Sequence, residues 1–211
     1  MRMVLLLMSA ALVAAPALAG SAIVDPGPSK QVQRAMANAS QLKPPTAAQV
    51  AAAKKQGRVK VKIETTKGAI DVELDGKAAP LTVANFLNLV KVEFYNGIPF
   101  HRVEPGFVIQ AGDPALVQRP PVGFTIPDEK SPMKHTKGTI AMARSYRGGQ
   151  MVPNSGSTQF YITLADTPHL DAIGFTAFGK VISGMDVVQR IVVGDKIVKA
   201  GVVGKVRGKG K

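Results

Sequence analysis

The sequence predicts a mainly β domain, and a barrel in preference to a parallel doubly wound sheet. Three observations carry this. Apolar and charged residues alternate strictly from Arg58 to Glu64, and again through Ile70, Val72 and Leu74, the period of strands with one buried face. Loops rich in Gly and Pro cut the rest of the chain into further short apolar runs. Only two of its segments carry an apolar helical stripe. Many short strands with few helices pack as sandwiches or barrels, and closing a barrel removes the edge strands that invite aggregation.

The elements follow in order. The first two alternating runs, turned at Lys67-Gly68, read as a hairpin. Pro80 suits the first turn of a helix, and Val83, Phe86, Leu87 and Val90 then fall at i, i+3, i+4 and i+7. Short strands are expected around 100–103, 107–111, 139–143, 159–163 and 177–181. A second helix is expected from Ser183, with Asp186 as its capping-box partner and Met185, Val188 and Val192 facing inward. A last strand near 196–200 would close the sheet.

Outside that domain the chain is organised differently. Met1-Arg2-Met3, an apolar run from Val4 to Ala15, and Ala17-Leu18-Ala19 form a signal-peptide pattern over 1–19, with the cut near Ala19. The rival reading, a membrane anchor, is disfavoured because Val4–Ala19 gives only 16 residues, one of them Pro16. A periplasmic or secreted protein is therefore expected, with no membrane attachment after cleavage. Residues 20–57 read as a flexible leader. Within it Thr46 would cap a short helix over 46–55 that lacks a strong apolar face. The folded domain is expected over 58–200, and 201–211 as a basic, Gly-rich tail.

Composition excludes several functions. The chain of 211 residues has no cysteine, so disulfides and thiolate metal sites are excluded. Net charge is +13, and five cations with no acid fall in the last 13 residues, the pattern of a solvated end or, less favoured, an anion-seeking one. Aromatics are 5% and tryptophan is absent, which argues against base stacking and a specific nucleic-acid partner. His101, His135 and His169 have no metal-ligand spacing, so no metal or other cofactor is expected. Ser155-Gly156-Ser157 reads as a turn before a strand, without a nucleophile elbow. A monomer is expected.

One segment points to chemistry. Phe100-His101-Arg102-Val103-Glu104-Pro105-Gly106-Phe107-Val108-Ile109-Gln110-Ala111-Gly112-Asp113 sets an arginine and a glutamine among apolar residues. Eight residues apart, Arg102 and Gln110 share a face if the segment is extended, unless a bulge at Pro105-Gly106 resets the alternation. A guanidinium beside an apolar pocket suits a peptide with a polar amide and an apolar ring.

With three further segments, this stretch resembles the cyclophilin-type peptidyl-prolyl isomerases. The others are Lys137-Gly138-Thr139-Ile140-Ala141-Met142-Ala143-Arg144, Ser157-Thr158-Gln159-Phe160-Tyr161-Ile162, and Phe178-Gly179-Lys180-Val181 with Gly184-Met185-Asp186. They stand in the family's order across roughly Val59–Ala200, and the second is worded like the bacterial branch, here read as exported. The resemblance implies a closed eight-stranded antiparallel barrel capped by two α-helices. It implies cis-trans isomerisation of X-Pro bonds in proline-containing peptides and unfolded exported proteins. By the same resemblance Arg102 and Gln110 are the catalytic pair. Phe107, Val108, Tyr161 and Leu170 would form the proline pocket, with Gln159, Ala143 and Arg144 along the groove.

Departures from the family's pattern mark this chain. Val108 stands for a common methionine, and Tyr161 for a phenylalanine, adding a hydroxyl that needs a partner. His169 stands where many eukaryotic members have tryptophan, which implies weak or no binding of cyclosporin. Phe175 replaces a histidine or tyrosine, and Arg144 an asparagine. Lost polarity at Phe175 leaves a second hypothesis beside the enzyme, a cyclophilin-shaped binding module with little turnover. An ion pair between Arg102 and Glu104 is the rival reading of the arginine.

Overall fold

The computed structural model describes residues 42–203. The expected signal peptide lies outside the described residues, as do residues 20–41 of the leader and 204–211 of the tail. Strands β1 (Arg58–Thr65) and β2 (Gly68–Asp75) form the predicted hairpin, paired along its whole length from Arg58 opposite Asp75 to Thr65 opposite Gly68. Its alternation buries Val59, Val61, Ile63, Ile70, Val72 and Leu74. The remaining strands are β3 (Arg102–Glu104), β4 (Val108–Ala111), β5 (Thr139–Met142), β6 (Tyr146–Arg147), β7 (Gln150–Met151), β8 (Phe160–Thr163), β9 (Ala177–Ser183) and β10 (Ile197–Val202).

Eight of them make one antiparallel sheet in the order β10-β1-β2-β9-β5-β8-β4-β3, with β6 and β7 a separate two-stranded ribbon. The expected closure is not met. The sheet curls into a half barrel whose ends, β10 and β3, do not pair as strands. Across that seam one bridge, Pro99 to Lys196, joins the segments that precede them. Local alternation fixes which face of a strand is buried but not how two edges meet, and β3, at three residues, is too short to zip the seam.

Helix α2 (Pro80–Lys91) runs as predicted from Pro80 and buries Val83, Phe86, Leu89 and Val90. Its N-cap, Ala79, has no capping side chain. Glu129 takes over, accepting from the backbone N–H of Leu81 (2.9 Å) and Thr82 (2.7 Å), where a carboxylate also complements the helix dipole. Phe86 centres the interior, its ring 5.0 Å from Tyr95, 5.4 Å from Phe160 and 5.3 Å from Phe178. Such aromatic pairs contribute about 0.5–1.5 kcal/mol each beyond simple burial.

Two short helices, α3 (Pro168–Ile173) and α4 (Met185–Arg190), complete the domain. The expected start of α4 at Ser183 is corrected: β9 continues through Ser183, and Gly184 at φ 82° opens the helix. A Cβ there would lie 2.3 Å from the Ala69 carbonyl oxygen, so only glycine fits. Val187 and Val188 are the buried pair, while Val192 falls beyond the helix and is exposed.

The leader is also corrected. From Leu42 onward it belongs to the fold. Helix α1 (Ala47–Gln56) starts at the N-cap expected at Thr46, and Gln49 completes a capping box, with Thr46 N–H donating to Gln49 Oε1 (2.8 Å) and Gln49 N–H to Thr46 Oγ1 (3.3 Å). Leu42 and Val50 pack on the core and Ala53 is buried in it. Small residues make this contact. Gly76 donates to the Gly57 carbonyl at 2.8 Å, and a Cβ on Gly76 would sit 2.2 Å from the Ala53 oxygen.

Candidate active site

Strands β4, β5 and β8 are buried on both faces, and alternation sorts their side chains. Ile109, Ala111, Ile140, Met142, Phe160 and Ile162 point into the main core. Val108, Ala141, Ala143 and Tyr161 point outward and join Leu170, Phe175 and Ala177 in a second apolar cluster. This cluster is the floor and wall of an open cavity of about 390 Å³, bordered by Arg102 and Gln110 at one end and by Arg144 at the other.

Arg102 and Gln110 meet for a different reason from the one their spacing suggested. They lie on two strands and face each other as a cross-strand pair of the β3–β4 hairpin. The chain reverses at Glu104-Pro105-Gly106-Phe107, where Phe107 N–H donates to the Glu104 carbonyl at 2.9 Å and Gly106 has φ 72°. Pro then Gly at the centre of the turn, with positive φ at the second, is a type II turn. Further on, Gly112 has φ 98°, and a Cβ on it would sit 2.4 Å from the Thr158 carbonyl oxygen. That glycine lets the end of β4 close on the chain leading into Gln159.

A polar chain results. Glu104 Oε1 accepts from Arg102 Nε (2.8 Å) and Nη2 (2.7 Å), so the ion pair weighed from sequence is present. Arg102 Nη1 donates to Gln110 Oε1 at 3.3 Å, and Gln110 Nε2 donates to Gln159 Oε1 at 2.8 Å. The Arg102–Glu104 pair is 40% and 49% exposed, so it contributes little to stability. Its effect is orientation. Three of the five guanidinium N–H groups are engaged in these bonds, and two remain for a ligand. Phe107 lies 5.7 Å below the Arg102 carbon centre and stacks on His169 at 5.6 Å.

Tyr161 finds the partner its hydroxyl needs, and this partner was missed in the sequence. His135, given no role there, is buried, with Nε2 2.9 Å from Tyr161 Oη and Nδ1 2.7 Å from Asp171 Oδ1. Asp171 also accepts from the His135 backbone N–H at 3.0 Å. Burial alone would raise the Asp171 pKa, but the side-chain and backbone hydrogen bonds from His135, with Lys134 nearby, hold it below the usual carboxylate range. An ionised carboxylate only accepts, so with neutral imidazole the proton sits on Nδ1, and Tyr161 donates to Nε2. Burial pushes the Tyr161 pKa up, keeping the phenol protonated. The hydroxyl is thus tied away from the cavity, and Tyr161 offers it a ring. The signal available in the sequence was Tyr161 itself, a polar tip in a phenylalanine's place.

Arg144 likewise does more than lie along the groove. Its guanidinium lies 4.7 Å from the Phe175 ring centre, donates from Nε to Asp128 (3.1 Å) and from Nη1 to the Ile173 carbonyl (3.2 Å), and reaches the Gly174 carbonyl. The polarity absent from Phe175 is therefore supplied beside it. Tyr146, Met151 and Ile173 also line the cavity, and sequence reasoning missed all three. Every site residue named from the sequence is at or beside this groove, with Gln159 held through Gln110.

Comparison with known proteins agrees. The family model described as cyclophilin type peptidyl-prolyl cis-trans isomerase/CLD matches residues 60–206. A peptidyl-prolyl cis-trans isomerase of Acinetobacter baylyi is 41% identical over 137 residues, 62% of this chain and 70% of that protein. One from Helicobacter pylori is 42% identical over 139 residues, 64% of this chain and 81% of that protein. The crystal structure of a Cryptosporidium parvum cyclophilin type isomerase in the presence of the dipeptide Ala-Pro superposes with a TM-score of 0.60 at 28% identity, covering 69% of this chain and 99% of that one. The crystal structure of a Hirschia baltica cyclophilin gives 0.61 at 25% identity, with 75% and 80% covered. With a groove on the outer face of a curled sheet and the family model matched over residues 60–206, the chain belongs to the cyclophilin-type peptidyl-prolyl cis-trans isomerases.

Proposed function

We propose that Arg102 catalyses X-Pro rotation by donating to the imide nitrogen in its twisted state, and that the substrates are exported proteins during folding. The chemistry needs no nucleophile. Amide resonance sets a barrier of about 20 kcal/mol, and a ~10⁵-fold acceleration requires about 7 kcal/mol of stabilisation special to the transition state. Twisting breaks the resonance and returns a lone pair to the proline nitrogen. A fixed donor aimed at that nitrogen binds the twisted form better than either planar one.

The observation that supports this is the guanidinium held at the mouth of an apolar cavity by Glu104 and Gln110. Phe107, Val108, Tyr161 and Leu170 take the proline ring. Gln110 and Gln159 orient the adjoining carbonyl through their remaining amide N–H groups, and the extended peptide lies along Ala143 and Arg144. Arg is suited because its charge persists at every working pH and its fork is rigid. His169 and Phe175 shape a rim of their own, with weak cyclosporin binding as the expected consequence.

Protease-coupled turnover of a proline tetrapeptide by the protein lacking residues 1–19 tests the catalytic role. Arg102→Ala should lower kcat/KM about 10²–10³-fold, the usual cost of one oriented donor. Equal rates for the variant and the wild type would overturn it. Export is checked by the mass of the mature protein, which should begin at Gly20 in the periplasmic fraction or the medium.

A further inference from the structure

The groove does not end at the proline pocket. Beyond Arg144 the chain enters the β6–β7 ribbon, with Tyr146 opposite Met151 and Arg147 opposite Gln150. Its tip, Gly148 and Gly149, has φ of 56° and 82°, the two left-handed positions of a type I′ hairpin turn. Tyr146 is 65% exposed, Met151 42%, and Ile173 on α3 50%. Single exposed apolar residues need no explanation. These three, however, line one cavity together with Tyr161 and Phe175.

That cavity, at about 390 Å³, lies in the ~300–1,000 Å³ range of pockets that enclose whole small ligands. One pyrrolidine ring does not fill it. The ribbon is short enough to adapt, since two-stranded ribbons are marginal alone, but its base is fixed. Val152 N–H donates to the Ser145 carbonyl at 2.9 Å and Ser145 N–H to Ser155 Oγ at 2.8 Å. Asn154 N–H donates to Asp128 at 2.7 Å, and the same carboxylate holds Arg144 at 3.1 Å. The ribbon and the pocket rim therefore share an anchor.

We infer that Tyr146, Met151 and Ile173 form a subsite for an apolar or aromatic side chain that flanks the isomerised proline. Tyr146 follows Ala143 by three residues, at most about 10 Å of extended chain, so the occupant lies within three residues of the proline. A thioether that adapts and a ring with a flat apolar face suit such a guest. Among the described residues, Arg102 and Arg144 line the cavity and no carboxylate does, so a flanking lysine is disfavoured. The subsite rests on the isomerase assignment only in giving the inner pocket to proline.

Proline peptides carrying Phe, Leu, Ala or Lys on either side of the proline test it, with dissociation constants read by NMR titration and kcat/KM by the coupled assay. Phe and Leu peptides should bind the wild type about tenfold more tightly than Ala peptides, and Lys peptides more weakly still. In the double variant Tyr146→Ser with Met151→Ser, the Phe-to-Ala ratio should fall to within about twofold. Ile173→Ser, on the facing wall, should lower it independently, so the test stands if the double variant misfolds. A wild type without preference, or a preference that survives both variants, overturns the subsite. Failure of the isomerase assignment reads differently, as absent turnover on every peptide, while the binding ratio still decides the subsite.

Discussion

The two apolar clusters of this protein share strands and differ in almost everything else. The inner one is aromatic, with Tyr95, Phe160 and Phe178 each packed on Phe86, and its Tyr95 hydroxyl donates to the Thr158 carbonyl at 3.0 Å. The outer one is a thin skin of Val108, Ala141, Ala143, Tyr161, Leu170 and Phe175. It is clamped from outside by Glu104–Arg102–Gln110–Gln159, by Asp171–His135–Tyr161 and by Asp128–Arg144. Packing holds the first. Hydrogen bonds and ion pairs position the second, leaving room for a ligand. One sheet thus separates stability from recognition by the parity of residue position.

Substitutions on opposite faces of one strand should break that comparison apart. Phe160→Ala, on the inner face of β8, should cost about 3–5 kcal/mol of unfolding free energy, measured by denaturant titration. Its neighbour Tyr161→Phe, on the outer face, should cost far less. Equal losses would mean that the faces are not separate. A smaller effect is expected at the clamp. His135→Ala leaves the buried Tyr161 hydroxyl without its partner, at about 1–3 kcal/mol, and should lower kcat/KM by loosening the Tyr161 ring. In the Tyr161→Phe background most of the loss in kcat/KM should vanish, and strictly additive effects would show that His135 does not act through the hydroxyl.

The smallest effect is in pH. Burial lowers the pKa of His101 from its usual 6.5, with Arg102 acting in the same direction against Asp113 and Gln159. A depressed histidine contributes stability that is complete above the unfolded pKa of 6.5 and lost as pH falls toward the folded value. Acidification from about pH 7 to 5 should therefore lower the unfolding midpoint slightly, and His101→Gln should flatten that slope. Asp171 acts in a lower window, below its ordinary 3.8. The inner cluster's Tyr95, its pKa raised by burial, stays neutral throughout. A slope unchanged in His101→Gln would place the acid sensitivity elsewhere.

What the sequence disclosed and what it hid have physical reasons. The β1–β2 hairpin and α2 were legible because one buried face writes a period of two or 3.6 into the chain. Arg102, Gln110, Phe107 and Tyr161 were legible through motif wording rather than pattern. The half-open seam was hidden because edge geometry has no local signature. Helix α1 was legible, but its packing on the core was hidden, because that contact sets alanine against glycine, where hydropathy is weak but backbones approach closely. The His135–Tyr161 bond joins residues 26 apart through the sheet, and the second role of Arg144 depends on a turn at Gly174. Neither has any signature along the chain.

The protein has three tyrosines and no tryptophan, and the structure distributes them one to a region. Tyr95 sits in the inner core, Tyr161 in the groove and Tyr146 on the ribbon beyond it. Its near-ultraviolet absorption and emission are thus a three-channel reporter already built into the chain. Replacing each tyrosine in turn with phenylalanine would tell melting of the core, occupancy of the pocket and movement of the ribbon apart without adding a label.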